Sequence, residues 1–482
     1  MDVTRRGVLG GMLGAGAMLA APTVLRAEGA AVRMLSGEEL IAAARLGGDV
    51  GYVVADARTG LVLEARDGGK PMAPASTAKT ITTLYALETL GPQFRFQTRV
   101  LATGPVSGGR VQGDLILAGG GDPTLDTDGL ADLVADLARK GVTGVSGRFL
   151  VWGGALPYAE EIAADQPVHV GYNPSISGLI LNYNRVHFEW KRAKGGYALA
   201  MDARSERYVP KVYTADVAAV ARQAPLFDYR QSGGKEHWTV AANALGKAGA
   251  RWLPVRLPDA YAGDVFQSLA RARGIDLPAP EPVRGLPGGA QVLASKASDP
   301  LPVILRSMLK YSTNIVAEAV GMTASTVRGV NAARGPSGAA MSDWLSGRLG
   351  GTRARFVDHS GLGGDDRIAP VEMVKAVTLL GPKVGLRGLM KPFNLRDEAG
   401  GKVKGQEIRV DAKTGTLNFV STLTGYITAP DGTELTFAIF TGDLARRAQS
   451  RDAEQAEGSR GWVGRSKVLQ SQLITRWATL YG

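Results

Sequence analysis

The chain has 482 residues, 45% of them hydrophobic and 21% charged, with a net charge of +11; this fits a folded protein of two or more domains and excludes a disordered chain. There is no cysteine, and the four histidines, His169, His187, His237 and His359, are scattered, so a disulfide framework and a thiolate metal site are excluded and zinc or serine–histidine chemistry has poor raw material. Arginines and lysines are dispersed without interleaved aromatics, so no nucleic-acid partner is indicated; the basic balance suits anionic peptides, peripheral contact with a phospholipid or cell-wall surface, or plain solubility.

Residues 1–27 read as an export signal of the twin-arginine type. Arg5-Arg6 precede a Gly- and Ala-rich apolar run, and Leu25-Arg26-Ala27 offers a cleavage site. The run is short and broken by Pro22, which argues against a retained membrane span. A periplasmic location after removal of the signal is the expectation.

A short helix over 38–46 and two strands, 50–56 and 61–64, lead into Pro74-Ala75-Ser76-Thr77-Ala78-Lys79. In a helix, residues three apart share a face, so the Lys79 ammonium reaches the Ser76 hydroxyl without help from the rest of the fold. A serine hydroxyl attacks only when a base takes its proton, and a lysine serves only if burial or nearby positive charge lowers its pKa. Ser-x-x-Lys also occurs at Ser232–Lys235 and Ser307–Lys310. The first reads as a hairpin tip and the second lies inside an apolar-periodic helix. Only Ser76 stands at a helix start, with Ile81, Leu84, Tyr85 and Leu87 following and Gly91-Pro92 as the stop.

Beyond Pro92 the alternation of Phe94, Phe96, Thr98 and Val100 predicts a strand, followed by another at 114–118. Gly119-Gly120-Gly121 lacks the spacing of a phosphate loop and reads as a tight structural turn. A helix over 130–141 precedes short strands as far as 257, then comes a helix over 261–273, and Pro278, Pro280, Pro282 and Pro287 read as a linker. This places an inserted module at 93–290, read as two subdomains, between the parts 28–92 and 291–482 of one discontinuous domain.

Past the linker a helix over 302–310 runs into Tyr311-Ser312-Thr313-Asn314, after which the apolar period resumes, so a hydroxyl and an amide stand at a break between helices. Capping alone is the competing explanation, but Ile315 and Ala317 occupy the places where a capping box has Glu or Gln. Residues 408–417 read as a strand in which Lys413, Thr414, Gly415 and Thr416 put a cation and two hydroxyls around a glycine that permits close backbone approach. A hairpin over 423–440 follows, then a C-terminal helix with Leu469, Leu473, Trp477 and Leu480 on a core-facing stripe.

In their order, Ser76-Thr77-Ala78-Lys79, Ser312-Thr313-Asn314 and Lys413-Thr414-Gly415 resemble the motif set of penicillin-binding proteins and serine β-lactamases. The long gap between the first two resembles the class C, low-molecular-mass penicillin-binding proteins, the D-alanyl-D-alanine carboxypeptidase/endopeptidase family of serine peptidases. The resemblance extends over 113–125 and Asp358-His359-Ser360-Gly361-Leu362, with departures at Thr313, where members often have Asp, and at His359, where they have Gly. It implies an α+β fold: a β-lactamase/transpeptidase-like domain, an antiparallel sheet flanked by helices, carrying a large inserted β-rich module.

For function the resemblance implies penicillin-sensitive hydrolysis of peptidoglycan peptides, with β-lactam antibiotics as covalent inhibitors and no cofactor. Ser76 is then the nucleophile, Lys79 the base and Ser312 a proton relay; Asn314 positions the substrate, and Lys413 supplies positive field for Lys79 and for the substrate carboxylate. Thr414 and Thr416, around Gly415, bind that carboxylate. Alternatives are a serine β-lactamase, disfavoured by the large insertion and the lack of a recognisable activating Glu, and a non-catalytic peptidoglycan-binding protein, disfavoured by the intact Ser76, Lys79 and Lys413. An unrelated esterase is disfavoured by the absence of a Gly-x-Ser-x-Gly elbow.

Overall fold

The computed structural model describes residues 34–450 and 453–482; the expected export signal at 1–27 lies outside them. Among the described residues, no helix is long and apolar enough to cross a membrane.

A six-stranded sheet draws on both ends of the chain. Its order is Lys391–Pro392, Arg409–Leu417, Val420–Thr428, Glu434–Gly442, Asp49–Asp56 and Val62–Arg66, antiparallel throughout. Because side chains alternate across a strand, Tyr52 and Val54 face one side and Val53 and Ala55 the other. The first pair packs with Leu40 of the Gly37–Ala44 helix and with Trp462, Leu469, Leu473 and Trp477 of the Ser459–Leu480 helix. The second pair packs with the helices Ala78–Leu90, Leu301–Tyr311, Asn314–Val327, Arg334–Leu349 and Pro370–Leu379. Sheet between helical layers is the arrangement expected from the sequence. Leu480, expected on the core stripe, is 47% exposed at the last position of its helix.

Between these parts, a five-stranded sheet runs in the order Pro280–Pro282, Phe149–Trp152, Leu115–Ala118, Gln97–Ala102 and Gln291–Ala297. The helices Thr127–Arg139 and Pro258–Ala272 share its apolar core, which continues into two three-stranded sheets. Gly119 and Gly120, expected in a tight turn, instead mark close backbone approach: a Cβ on either would come within 2.3 Å of a carbonyl oxygen, that of Gly178 or of Gln97, and Gly119 N donates to Trp152 O at 2.9 Å. The strand expected from Phe94 begins at Gln97, since Phe94 and Phe96 turn edge-to-face on each other at 4.9 Å.

The proline-rich stretch is not a free linker. Pro280–Pro282 pairs in parallel with Phe149–Val151 as a sheet edge, where a missing N–H costs least, and Gln291–Ala297 pairs with Gln97–Ala102. Both strands flanking the expected boundary at 290 therefore belong to one sheet, and the chain leaves it at Ser298. Two rivals for the nucleophile are disposed of as read: Ser232 and Lys235 face each other across a hairpin turn, and Ser307 lies inside the Leu301–Tyr311 helix.

Candidate active site

Ser76 sits in a 3-10 turn, Ala75–Thr77, that runs into the Ala78–Leu90 helix. Ala75 has φ +45°, a left-handed conformation that costs a non-glycine residue about 1 kcal/mol or more. Neighbours hold it there: Thr77 Oγ1 and Thr422 Oγ1 donate to Pro74 O at 2.6 and 2.7 Å, and a Cβ on Gly361 would stand 1.8 Å from Ala75 O. Gly415 is needed for a similar reason, since its Cβ would come within 3.0 Å of both Pro74 O and Ser76 N. The strand bearing Lys413 thus lies directly against the turn bearing Ser76.

Lys79 is fully buried, and its Nζ lies 3.0 Å from Ser76 Oγ, 2.7 Å from Asn314 Oδ1 and 2.6 Å from Ser360 O. Asn314 opens the Asn314–Val327 helix, and its Nδ2 donates to Tyr172 O at 3.0 Å. Ser312, at φ +60°, ends the preceding helix, and Lys413 Nζ reaches its Oγ at 3.0 Å and Thr414 O at 2.5 Å. The break between helices is thus a left-handed turn that presents Ser312 to Lys413 and Asn314 to Lys79. Thr313 caps the second helix without a side-chain bond.

Burial pushes Lys79 down to about 8, against the carboxylates of Asp358, Glu318 and Asp366, which hold it up. Lys413 is itself held well below its ordinary value by burial first, then by the charges of Lys79 and Lys391. Whichever lysine gives up its proton first relieves the other. The turn 358–363 supports Lys79 from below: Asp358 accepts from the N–H groups of Ser360, Gly361 and Gly363 at 3.0, 2.7 and 2.7 Å, which fixes the Ser360 carbonyl. Glu318, raised by burial and then by Asp358, accepts from His359 N at 3.1 Å. The His359 ring is buried, bonded to Ser337 Oγ at 2.7 Å and pushed down to about 4. It is a neutral packing group, accommodated because Gly321 opposite has no Cβ to meet it.

Ser76, Ser312, Asn314 and Thr416 open on one cleft of about 900 Å³. Thr414 is half-buried two residues along the same strand face and does not line the cleft. Reading the sequence missed the wall built by the inserted segment. Tyr172 lines the cleft, Asp165 pairs with Arg447 at 3.2 Å, and His169 and Arg251 meet Glu454 at 3.1 and 3.4 Å. Tyr172 acts on Asn314 through its carbonyl, which any residue carries, so no side-chain pattern could have marked it. Among the described residues no His, Asp or Glu group is arranged to hold a metal ion.

The D-alanyl-D-alanine carboxypeptidase of Actinomadura sp. (strain R39) is 30% identical to this chain over 426 residues, covering 81% of this chain and 77% of that protein. The D-alanyl-D-alanine carboxypeptidase DacB of Haemophilus influenzae is 24% identical over 85% of this chain and 90% of its own length. The crystal structure of penicillin binding protein 4 from Haemophilus influenzae shares the fold, with a TM-score of 0.72 at 22% identity over 92% of this chain and 100% of that one. Residues 36–459 match the D-Ala-D-Ala carboxypeptidase 3 (S13) family, and the chain belongs to that family.

Proposed function

We propose that the protein is a periplasmic, penicillin-sensitive serine carboxypeptidase, with or without endopeptidase activity, that cuts the D-Ala-D-Ala end of peptidoglycan peptides through an acyl-enzyme on Ser76. The observation that carries this reading is a wholly buried Lys79 amine 3.0 Å from Ser76 Oγ with two fixed acceptors on its other side. In the neutral amine, Asn314 Oδ1 and Ser360 O take the two N–H groups, and the lone pair is left for the Ser76 proton.

Ser76 Oγ bonds to the substrate carbonyl as its proton passes to Lys79. The C–N bond then breaks, and Ser312 relays a proton to the departing amine. Water releases the acyl group and restores Ser76. The backbone N–H groups of Ser76 and Thr416 serve the oxyanion, which demands geometry and not a particular side chain. The terminal carboxylate lies at Thr416, the residue of the Thr414–Thr416 stretch that opens on the cleft, where it favours the charged form of Lys413. The export signal expected at 1–27, removed after Ala27, supports the location.

The purified protein is expected to gain the mass of penicillin on Ser76, and Ser76→Ala to gain none; an unchanged wild-type mass sinks the acyl-enzyme reading. Digestion of muropeptides separates the two activities: loss of D-alanine marks a carboxypeptidase, and conversion of cross-linked dimers to monomers marks an endopeptidase.

A further inference from the structure

One of the three-stranded sheets of the inserted segment, formed by Gly196–Asp202, Arg185–Ala193 and Ala248–Pro254, gathers positive charge at one tip. Lys191, Arg192, Lys194 and Lys247 are all exposed there, and among the described residues no ion pair joins any of them to a carboxylate. The segments 190–201 and 237–258 contain no Asp or Glu, and Glu189, two residues along the strand from Lys191, is taken by Arg204 at 3.0 Å. The tip is held in shape by two half-buried rings. Trp190 Nε1 donates to Leu245 O, and Tyr197 Oη donates to Gly246 O at 3.0 Å, which seats the loop that leads to Lys247. Arg192 N donates to Lys247 O at 2.8 Å, so these two residues are neighbours across the strands. Lys191 pairs with Ala198 on one side and Ala248 on the other, both exposed and too small to cover its ammonium. Like charges within a Debye length, about 8 Å, repel one another, and four bunched on paired strands make a field that an anion relieves. The same sheet joins the tip to the cleft. Arg251, four residues on from Lys247 and so roughly 13 Å away along the strand, meets Glu454, which lines the cleft with Ser76.

We propose that Lys191, Arg192, Lys194 and Lys247 form an exosite outside the cleft that holds the peptidoglycan polymer while one of its peptides is cut. This rests on the carboxypeptidase reading above. Each peptide that ends in D-Ala-D-Ala carries a terminal carboxylate, and hydrolysis leaves a new one on the residue that remains, so the polymer stays anionic before and after every cut. Guanidinium and ammonium both donate to carboxylates with charge assistance. A hydrated polymer fits this tip better than a membrane does, because the turn itself is Ala193, Lys194, Gly195 and Gly196 and has no large apolar side chain to bury in a bilayer.

The test sediments penicillin-acylated protein with purified peptidoglycan sacculi; the acyl group blocks the nucleophile and reports that the protein is folded. Wild-type protein is expected to pellet at low salt and to be released as ionic strength rises. The variant Lys191→Gln/Arg192→Gln/Lys194→Gln/Lys247→Gln, changed only at exposed positions, should bind about tenfold more weakly. Sacculi with amidated carboxylates should cost the wild type a similar factor and the variant little more. On short soluble D-Ala-D-Ala peptides, which cannot reach the tip, the unlabelled proteins should have equal kcat/KM. Equal pelleting of the two proteins, or wild-type binding that survives amidation, overturns the exosite while leaving the carboxypeptidase reading standing. So does a variant that keeps its hold on sacculi and loses binding only to phosphatidylglycerol vesicles, an outcome that assigns the tip to a membrane. A wild-type protein that takes no penicillin and cuts no peptide overturns the carboxypeptidase reading instead, and the exosite with it.

Discussion

A neutral lysine has two N–H groups and one lone pair, and the surroundings of Lys79 supply two acceptors, Asn314 Oδ1 and Ser360 O, and one hydroxyl, Ser76 Oγ. The protonated form has a third N–H, which can only point at Ser76 and blocks the proton transfer. The fraction of neutral amine therefore sets the acylation rate, and burial puts the midpoint at about 8. The second-order rate of penicillin acylation is expected to climb roughly tenfold per pH unit below that midpoint and to level above it; a stopped-flow series from pH 6 to 9.5 checks this, and a flat profile contradicts it. Lys79→Met should lower the rate by roughly a hundred- to ten-thousand-fold at every pH, the range for loss of a general base. Ser76 and Lys79 were legible in the sequence because their pairing depends only on helical geometry. That Lys413 is itself depressed, by burial first, was not legible. It depends on burial by residues hundreds of positions away.

At the scale of elements, the site is three turns pressed together at positions where only glycine fits. Gly361 has φ +74°, and a Cβ there would stand 1.8 Å from Ala75 O, a backbone atom that cannot rotate aside. Gly361→Ala is expected to cost about 2–4 kcal/mol of stability and, by shifting the Ser76 turn, to slow acylation roughly a hundred-fold. Gly461→Ala serves as the control. That glycine is exposed on the Ser459–Leu480 helix, where a Cβ would meet only the flexible end of Arg465 at 3.9 Å, so alanine should stabilise by about 0.5–1 kcal/mol. Thermal unfolding and penicillin labelling, read together, check both; equal effects at the two positions contradict the crowding argument. The helix break at Ser312–Asn314 and the close approach at Gly415 could be read from local pattern, since a hydroxyl, an amide and a glycine stood where the hydrophobic period was interrupted. The prolines at 278–287 misled because edge strands and linkers tolerate proline alike, and only the pairing partner, Phe149–Val151, tells them apart.

At the scale of the whole molecule, the inserted segment is part of the active cleft and is anchored in the catalytic core. Ile162, Ile176 and Ile180 are fully buried in the same cluster as Ile81 and Val316, and Tyr172 holds Asn314. Sequence reading found no chemistry between 145 and 257 because this contribution is made by backbone and by packing. Near the cleft mouth, Glu454 receives His169 and Arg251 from the inserted segment, and the His169 bond, ahead of the Arg251 charge, holds its carboxyl down at about 2. A depressed carboxylate stabilises the fold above its unfolded value, near 4.5, and loses that contribution as pH falls towards the folded value. Glu454 is nearly half exposed, so solvent screening discounts the gain to about 1 kcal/mol. Glu454→Gln is therefore expected to lower Tm by about 1–2 °C at pH 6–7, with the gap to wild type closing steadily below pH 4.5. Paired melting curves across that range check the sign. A gap that is constant with pH means that the ion pairs add nothing at this junction and that the buried isoleucines alone fasten the segment.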